Sequence, residues 1–432
     1  MRIVPVVIAV GAVVLVANRW GQGLLDDGVQ HRILAPPLIG RFRLGPPGGL
    51  APLLVPLTVG AVLVTQLPRV AASARWSRLL VLGAVAAAVW AVALALVDGA
   101  SGLTRPMELR GHYLLDVGQV GSPGEFLSGF TDRIDEYGTH VRSHPPGLVL
   151  LLWTMSTVGL GGSGWAATLV IAGGAAAVPA LLLTVRELAG EDMARRCVPF
   201  LVVAPAAAYV ASTGDALFAG VGAWGVAAVV LATGQGGRRG DRLALAGGAT
   251  FGAALLLSYG SALLVLVPVV VAIVRRRPRP LVFAAAAGTA VLAASALAGF
   301  SWLDGLWTTR HEYLESVASI RPYGYFLLAN LAGLALVVGP ATVAGLTRIV
   351  RGGAGTRSLA RLVVPVLAIV AVANLSGMSK GEVERIWLPF ALCLLPAAAL
   401  ASGERDAGGM RRWLWVQLGA AIAIPLFVRT HW

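Results

Sequence analysis

The feature that most constrains this chain is a succession of apolar runs, each roughly 15 to 22 residues long, separated by short polar breaks. A helix of about 20 residues spans the hydrocarbon core of a bilayer and satisfies its backbone hydrogen bonds internally. Of 432 residues, 57% are hydrophobic and only 13% are charged. No polar segment is long enough for a separate soluble domain, so residues 1–432 read as one integral-membrane domain. The expected fold class is an all-α polytopic membrane protein.

The runs predict about 13 transmembrane helices, at 3–18, 48–66, 79–97, 164–185, 196–213, 216–234, 242–258, 260–274, 281–300, 323–346, 361–377, 388–402 and 412–428. The first follows a single basic residue and lacks a small-x-small cleavage site, which predicts an uncleaved helix.

The net charge of +13 raises the question of nucleic acid, and its distribution answers it. Arginines gather in short clusters between apolar runs: Arg69, Arg75 and Arg78; Arg195 and Arg196; Arg238, Arg239 and Arg242; Arg275, Arg276, Arg277 and Arg279; Arg348, Arg351, Arg357 and Arg361; Arg405, Arg411 and Arg412. Such clusters mark cytoplasmic loops. They predict a cytoplasmic N-terminus and no nucleic-acid partner. The arginine, alanine and valine bias points to a GC-rich bacterial genome and so to a bacterial plasma membrane. Cys197 and Cys393 lie in or at the end of apolar runs and read as packing residues.

The run 147–160 disturbs this accounting. An acid-rich segment precedes it and a basic one follows the next helix, so only one of the two apolar runs between them can cross. The break "GLGGSG" predicts that 147–160 is a juxtamembrane or re-entrant element; two ordinary helices that disobey the charge rule are the alternative.

Ionisable chemistry concentrates on the other, expected extracytoplasmic side. It carries His31, His112, His140, His144, His311, His431 and the lone lysine, Lys380. Its longest loop, 98–146, also holds Asp98, Glu108, Asp116, Glu125, Asp132, Asp135 and Glu136, and long loops in compact domains are usually functional. Ser122, Pro123 and Glu125 form a capping box with proline at the first helical position. Phe126, Phe130, Ile134, Tyr137 and Val141 then recur at helical spacing, predicting one amphipathic juxtamembrane helix. Asp132, Glu136 and His140 share its other face, and Pro145–Pro146 end it. A solvated polar face explains Asp132, Arg133 and Glu136 equally well. His140, Arg142 and His144, beside the prolines, point more to function.

Three further features face the same side. Asp215 in "STGDALF" is a lone acid at the membrane edge, with helix capping as the ordinary explanation. "SKGEVERIWLPF" brings Lys380, Glu382, Glu384 and Arg385 to a helix start, and the segment 302–324 adds Asp304, Arg310, His311, Glu312 and Arg321 among interfacial aromatics.

With these residues in view the chain resembles the GT-C integral-membrane glycosyltransferases, in their protein O-mannosyltransferase-like and aminoarabinose-transferase-like branch. "HVRSHPPGLVLLLW" is similar to that class's basic residue followed by Pro-Pro-Leu. "FLVVAPAAAYVASTGDALFAG" looks like its proline, polar linker and aspartate between helices, and "GEVERIWLPFALCLLP" like its Glu-Arg-aromatic-x-x-Pro segment. The branch normally carries an Asp-Glu pair right after its first helix. Here the large loop follows the third helix, and in "PMELRGHYLLDV" only Glu108 and Asp116 stand near the tyrosine.

The resemblance implies transfer of a sugar, such as mannose, from a polyprenyl-phosphate donor to a cell-envelope glycan, lipid or protein acceptor. It makes Glu108 or Asp116 the catalytic base. It makes His140, Arg142, His144, Asp215, Glu382, Glu384 and Arg385 substrate-binding residues, with Arg385, Arg142 and His144 supporting the leaving phosphate. Asp215 would hold the acceptor or help a divalent metal ion. "GLGGSG" follows no strand and is no phosphate cradle. A transporter or a non-catalytic membrane scaffold are the rival readings. The enzyme reading requires Glu108 or Asp116, Asp215 and Arg385 to converge within about 10 to 12 Å.

Overall fold

Helices account for nearly all regular structure in the computed structural model, which describes residues 2–29, 31–211, 213–352, 355–403 and 406–430. Arg405 and His431 lie outside the described residues. Among the described residues eight helices are long and apolar enough to cross a bilayer: Ile3–Asp26, Ala51–Ser73, Trp76–Asp98, Ser163–Ala189, Gly214–Gly234, Arg279–Leu297, Tyr323–Val350 and Arg357–Leu375. The chain is an all-α polytopic membrane protein.

The remaining five apolar runs take other forms. Gly237–Leu257 and Ala407–Phe427 are 21-residue helices, each with an adjacent pair of arginines within its first six residues. The other three are interrupted: Glu191–Val202 gives way to a 3-10 turn at Pro205–Tyr209, Tyr259–Val265 is 3-10 before Leu266–Val274, and Leu388–Leu394 tightens into Leu395–Leu400. Pro205 and Pro396 lack the N–H that would continue the α ladder.

Burial orders the bundle from centre to rim. The apolar window of Gly214–Gly234 is 78% buried and that of Arg279–Leu297 only 6%, so the first is the axis and the second faces lipid. Small residues permit this packing. A Cβ on Gly220 would strike the Gly173 carbonyl, so the helices Ser163–Ala189 and Gly214–Gly234 touch backbone to backbone. Helix Tyr323–Val350 kinks at Gly339 (φ 78°) and Pro340. Gln417 satisfies the freed groups, accepting from the Ala341 N–H at 3.1 Å and donating to the Val338 carbonyl at 3.0 Å.

Arginines staple the end of the bundle remote from Asp215. Arg195 donates to the carbonyls of Ala71 (2.6 Å) and Ala74 (3.0 Å), and Arg348 to those of Leu400 (2.7 Å) and Ser402 (3.1 Å). Arg275 binds Glu187 and Thr233. These side chains cap helix C-termini as well as carrying the charge bias. Cys197 and Cys393 are buried free thiols.

At the opposite end, residues 98–146 depart from the expected single amphipathic helix. The capping box forms, with the Ser122 Oγ accepting the Glu125 N–H at 3.3 Å. The helix, however, stops at Ser128; a 3-10 turn at Ile134–Glu136 and a short helix Thr139–Arg142 follow. The Gly138 N–H donates to Asp116 Oδ2 at 3.0 Å, and Tyr137 and Gly138 are extended. The expected apolar face survives this break. Phe126, Phe130, Ile134, Tyr137 and Val141 are all buried in one cluster, with Phe130 stacked on Tyr137 at 5.3 Å and edge-on to Phe300 at 5.5 Å.

The helix Gly147–Thr157 has 11 residues. At 1.5 Å per residue it is about 16 Å long, well short of a hydrocarbon core. A two-residue strand pairing, Arg41–Phe42 with Val428–Arg429, holds the first loop against the end of Ala407–Phe427, and Arg43 binds Asp98 and the Pro425 carbonyl beside it.

Candidate active site

Asp215 is the second residue of Gly214–Gly234, where the helix dipole favours a carboxylate. Its side chain does not cap its own helix. Instead Oδ2 accepts from Arg385 Nη1 at 3.0 Å, and both side chains are buried. Arg385 lies on the short helix Val383–Ile386, which begins after Glu382. Glu382 is left-handed (φ 62°), a conformation unfavourable for a residue with a Cβ. Two guanidiniums hold it there: Arg385 Nη2 donates to Oε2 at 2.7 Å, and Arg321 Nη2 to Oε1 at 3.3 Å.

Arg321 extends the chain of charges, donating to the carbonyls of Lys380 (2.6 Å) and His31 (3.1 Å). Asp215, Arg385, Glu382 and Arg321 thus alternate in sign, and each buried charge has an opposite neighbour. Burial alone would raise the Glu382 carboxyl, but Arg385 and Arg321 outweigh it and hold its pKa below the usual value. Burial would likewise lower the Arg385 pKa, and Asp215 and Glu382 reverse this, so the guanidinium stays charged.

Histidines and a tyrosine wall the Asp215 side. The Nε2 of His144 lies 4.0 Å from Asp215 Oδ1, and its Nδ1 2.9 Å from the His140 carbonyl oxygen. The His112 and His140 rings are 4.1 Å apart, and the Tyr113 ring is 5.9 Å from both His140 and His144. Burial, with Arg385, His112 and His144 adding to it, pushes the His140 pKa well below 6.5. Burial and then Asp215 raise the Tyr113 pKa well above 10.0, leaving its hydroxyl a neutral donor.

The other expected site residues differ in their partners and exposure. Asp116 is buried and already engaged, accepting from Gln119 Nε2 at 2.8 Å and the Gly138 N–H at 3.0 Å. Burial raises its pKa against the pull of Gly138 and Arg142. Glu108 is exposed at the end of helix Ser101–Glu108, and among the described residues its carboxylate makes no hydrogen bond or ion pair. Arg142 turns to the helix Trp302–Glu315, donating to Glu312 Oε2 at 3.3 Å, while Thr309 donates to the Arg142 carbonyl at 2.9 Å. Glu384 is buried and accepts the Ile39 N–H at 2.8 Å. Its other oxygen has no partner among the described residues, and burial pushes its pKa up to about 7.

So the structure brings Asp215, Glu382, Arg385, His140 and His144 together, and adds Tyr113, His112 and Arg321. Tyr113 and His112 were visible as "GHYLLD", but nothing local marked them as neighbours of Asp215. Among the described residues no group of three His, Cys, Asp or Glu side chains could hold a metal ion. Asp215 spends one oxygen on Arg385, so the donor set fits a divalent cation poorly.

No protein-family model matches this chain, and neither does any curated protein. Solved structures do. The oligosaccharyltransferase of Archaeoglobus fulgidus in its apo form superposes with a TM-score of 0.51 at 12% identity, over 82% of this chain and 56% of that one. The same protein in complex with zinc and sulfate gives 0.46 at 14% identity, over 82% and 53%. ArnT from Cupriavidus metallidurans, in its apo state, gives 0.43 at 17% identity, over 67% and 56%. This chain therefore spans a little over half the length of the proteins it resembles. The superposition on the apo oligosaccharyltransferase shows a shared membrane fold, the one expected from the GT-C resemblance.

Proposed function

We propose that this protein is a membrane glycosyltransferase that moves a sugar from a polyprenyl-phosphate donor to an acceptor at the end of the bundle carrying residues 98–146. The observation that carries this reading is Arg385, a buried guanidinium held between Asp215 and Glu382 where apolar helices meet a folded polar segment. A fixed cation at the edge of an apolar bundle suits a ligand with an anionic phosphate and a long hydrocarbon tail. The fold shared with an oligosaccharyltransferase supports the same class of reaction.

In this reading Arg385 takes the charge that develops on the leaving phosphate, and Glu382 with Arg321 keeps the guanidinium aimed. Asp215 and His144 face the acceptor, and Tyr113 offers a neutral hydroxyl donor beside them. His140 shapes the same wall. Arg142 and Asp116 hold the overlying segment in place, through Glu312 and the Gly138 N–H respectively. Glu384 braces the loop around Ile39. Glu108 stays at the rim, where an acceptor would enter. The active face is extracytoplasmic, the arginine-stapled end cytoplasmic, and the host membrane a bacterial plasma membrane.

The test is transfer from radiolabelled polyprenyl-phosphate sugars, mannose among them, in membranes containing the wild type, Arg385→Ala or no protein. Label should reach a glycan, lipid or protein acceptor only with the wild type. Label at the empty-membrane level with every sugar donor would refute the reading and favour a transporter or scaffold.

A further inference from the structure

His144 sits one helical turn after His140, with Nδ1 2.9 Å from the His140 carbonyl oxygen. A carbonyl oxygen can only accept, so Nδ1 carries the proton. In a neutral imidazole the lone pair then belongs to Nε2. The ring is neutral near pH 7, because burial lowers its pKa, Asp215 and the His140 carbonyl raise it, Arg385 lowers it, and the balance falls below 6.5.

The Nε2 lone pair therefore confronts the Asp215 carboxylate at 4.0 Å. Two acceptors face each other, too far apart for a direct hydrogen bond even if one were protonated. The Phe218 ring at 5.2 Å and the Tyr113 ring at 5.9 Å from the His144 ring close the sides. A buried pair of acceptors calls for a group that brings its own proton. Asp215 already commits its Oδ2 to Arg385, which leaves it to orient the hydroxyl, whereas the His144 Nε2 lone pair is unengaged by the His140 carbonyl contact.

We propose, resting on the sugar-transfer reading above, that His144 Nε2 is the general base and that the acceptor presents a neutral hydroxyl between His144 and Asp215. The acceptor O–H bond breaks, its proton passes to Nε2, and the freed oxygen pair forms the new bond to the anomeric carbon. The bond from that carbon to the donor's phosphate oxygen breaks, and its electron pair leaves on the lipid phosphate. Asp215 pairs with the imidazolium that results, and the proton returns to solvent. The orienting group on the far nitrogen is the His140 backbone carbonyl, so His140 can change its side chain without changing the tautomer of His144.

The groups facing His144 are Asp215 from Gly214–Gly234, Arg385 from Val383–Ile386, Tyr113 from the turn at 113–116, and His140, beside which His112 stands. The experiment is kcat/KM for sugar transfer against pH, in wild type, His144→Gln and His144→Ala with and without imidazole. The wild type should lose activity on an acid limb with its midpoint below 6.5, as the base becomes protonated. His144→Gln should fall roughly 10²- to 10⁴-fold and lose that limb, and imidazole should restore part of the His144→Ala activity. Transfer by His144→Gln within about threefold of wild type, with the limb unchanged, would overturn the inference and leave the transfer reading standing. A wild type active with no acid limb would do the same without any variant. A wild type that transfers no sugar would overturn both.

Discussion

Arg385 lies between two carboxylates, with Nη1 3.0 Å from Asp215 and Nη2 2.7 Å from Glu382, and so joins the central helix Gly214–Gly234 to the turn at 382–386. Removing this buried cation leaves the buried Asp215 without its ion-pair partner and Glu382 with Arg321 alone. Arg385→Ala should lower stability in detergent by about 3 to 5 kcal/mol and abolish transfer. Arg385→Lys keeps the charge but cannot reach both carboxylates, so it should fold and yet lose at least about tenfold in transfer. Thermal unfolding beside the transfer assay separates the two effects. A fully active lysine variant would show that the fork geometry is dispensable.

Asp116 offers a test of shape against chemistry. Its carboxylate accepts the Gly138 N–H and the Gln119 amide, and an amide oxygen can still accept the first of these. Asp116→Asn should therefore keep transfer within about threefold of wild type, whereas Asp116→Ala should loosen the segment 111–140 and lower both activity and protease resistance. Loss of transfer in the asparagine variant, with protease resistance intact, would instead make Asp116 the base.

Glu384 sets a dependence of stability on pH. Its pKa is about 7 folded against 4.5 unfolded, so the folded state holds this proton more tightly. The associated stability is full below about pH 4.5 and is lost as pH rises through about 7. Glu384→Gln should flatten that part of the curve and be the more stable protein at pH 8, by roughly 1 to 3 kcal/mol. Thermal unfolding between pH 5 and pH 8 reads the difference. Parallel curves for the two proteins would refute the assignment.

Gln417 tests the kink, remote from the site. Its amide serves the Ala341 N–H and the Val338 carbonyl, groups released by Gly339 and Pro340. Gln417→Leu should cost about 1 to 3 kcal/mol by stranding the Ala341 N–H, while the Val338 carbonyl keeps the Thr342 hydroxyl at 2.7 Å. Gly339→Ala should also destabilise, since the backbone is left-handed there and the new methyl would meet the Gln417 side chain. Both would show as lower unfolding temperatures.

How much of this was legible beforehand depends on whether a feature is local. Apolar runs dictate helices because an unpaired backbone cannot sit in lipid, and the eight that are long and apolar enough to span were readable one by one. The interruptions near Pro205 and Leu395 were not, since apolarity is the same on both sides of a 3-10 turn. Within 98–146 the spacing of Phe126, Phe130, Ile134, Tyr137 and Val141 gave the buried face but not its division into three pieces. The break between the last two pieces falls where Asp116 takes the Gly138 N–H, a contact between residues 22 apart.

At the site, Asp215 stood out as a lone acid at the membrane edge and Arg385 as one of four charges at a helix start, and the two do meet. The expectation for Glu108 rested on proximity in sequence to Tyr113, whereas the wall beside Asp215 is built from residues that only the fold unites. Arg321 illustrates this, reaching His31 in one segment and Lys380 and Glu382 in another.

The central claim is that Arg385 binds the phosphate of a polyprenyl-phosphate sugar. The most direct measurement is a cryo-EM map of the protein in a lipid nanodisc with a non-hydrolysable polyprenyl-phosphonate sugar. The account predicts phosphonate density within hydrogen-bonding distance of the Arg385 guanidinium, with the sugar toward His144 and Asp215 and the prenyl chain along the apolar helices. Density for the headgroup at a different place, with the Asp215–Arg385–Glu382 chain undisturbed, would contradict it.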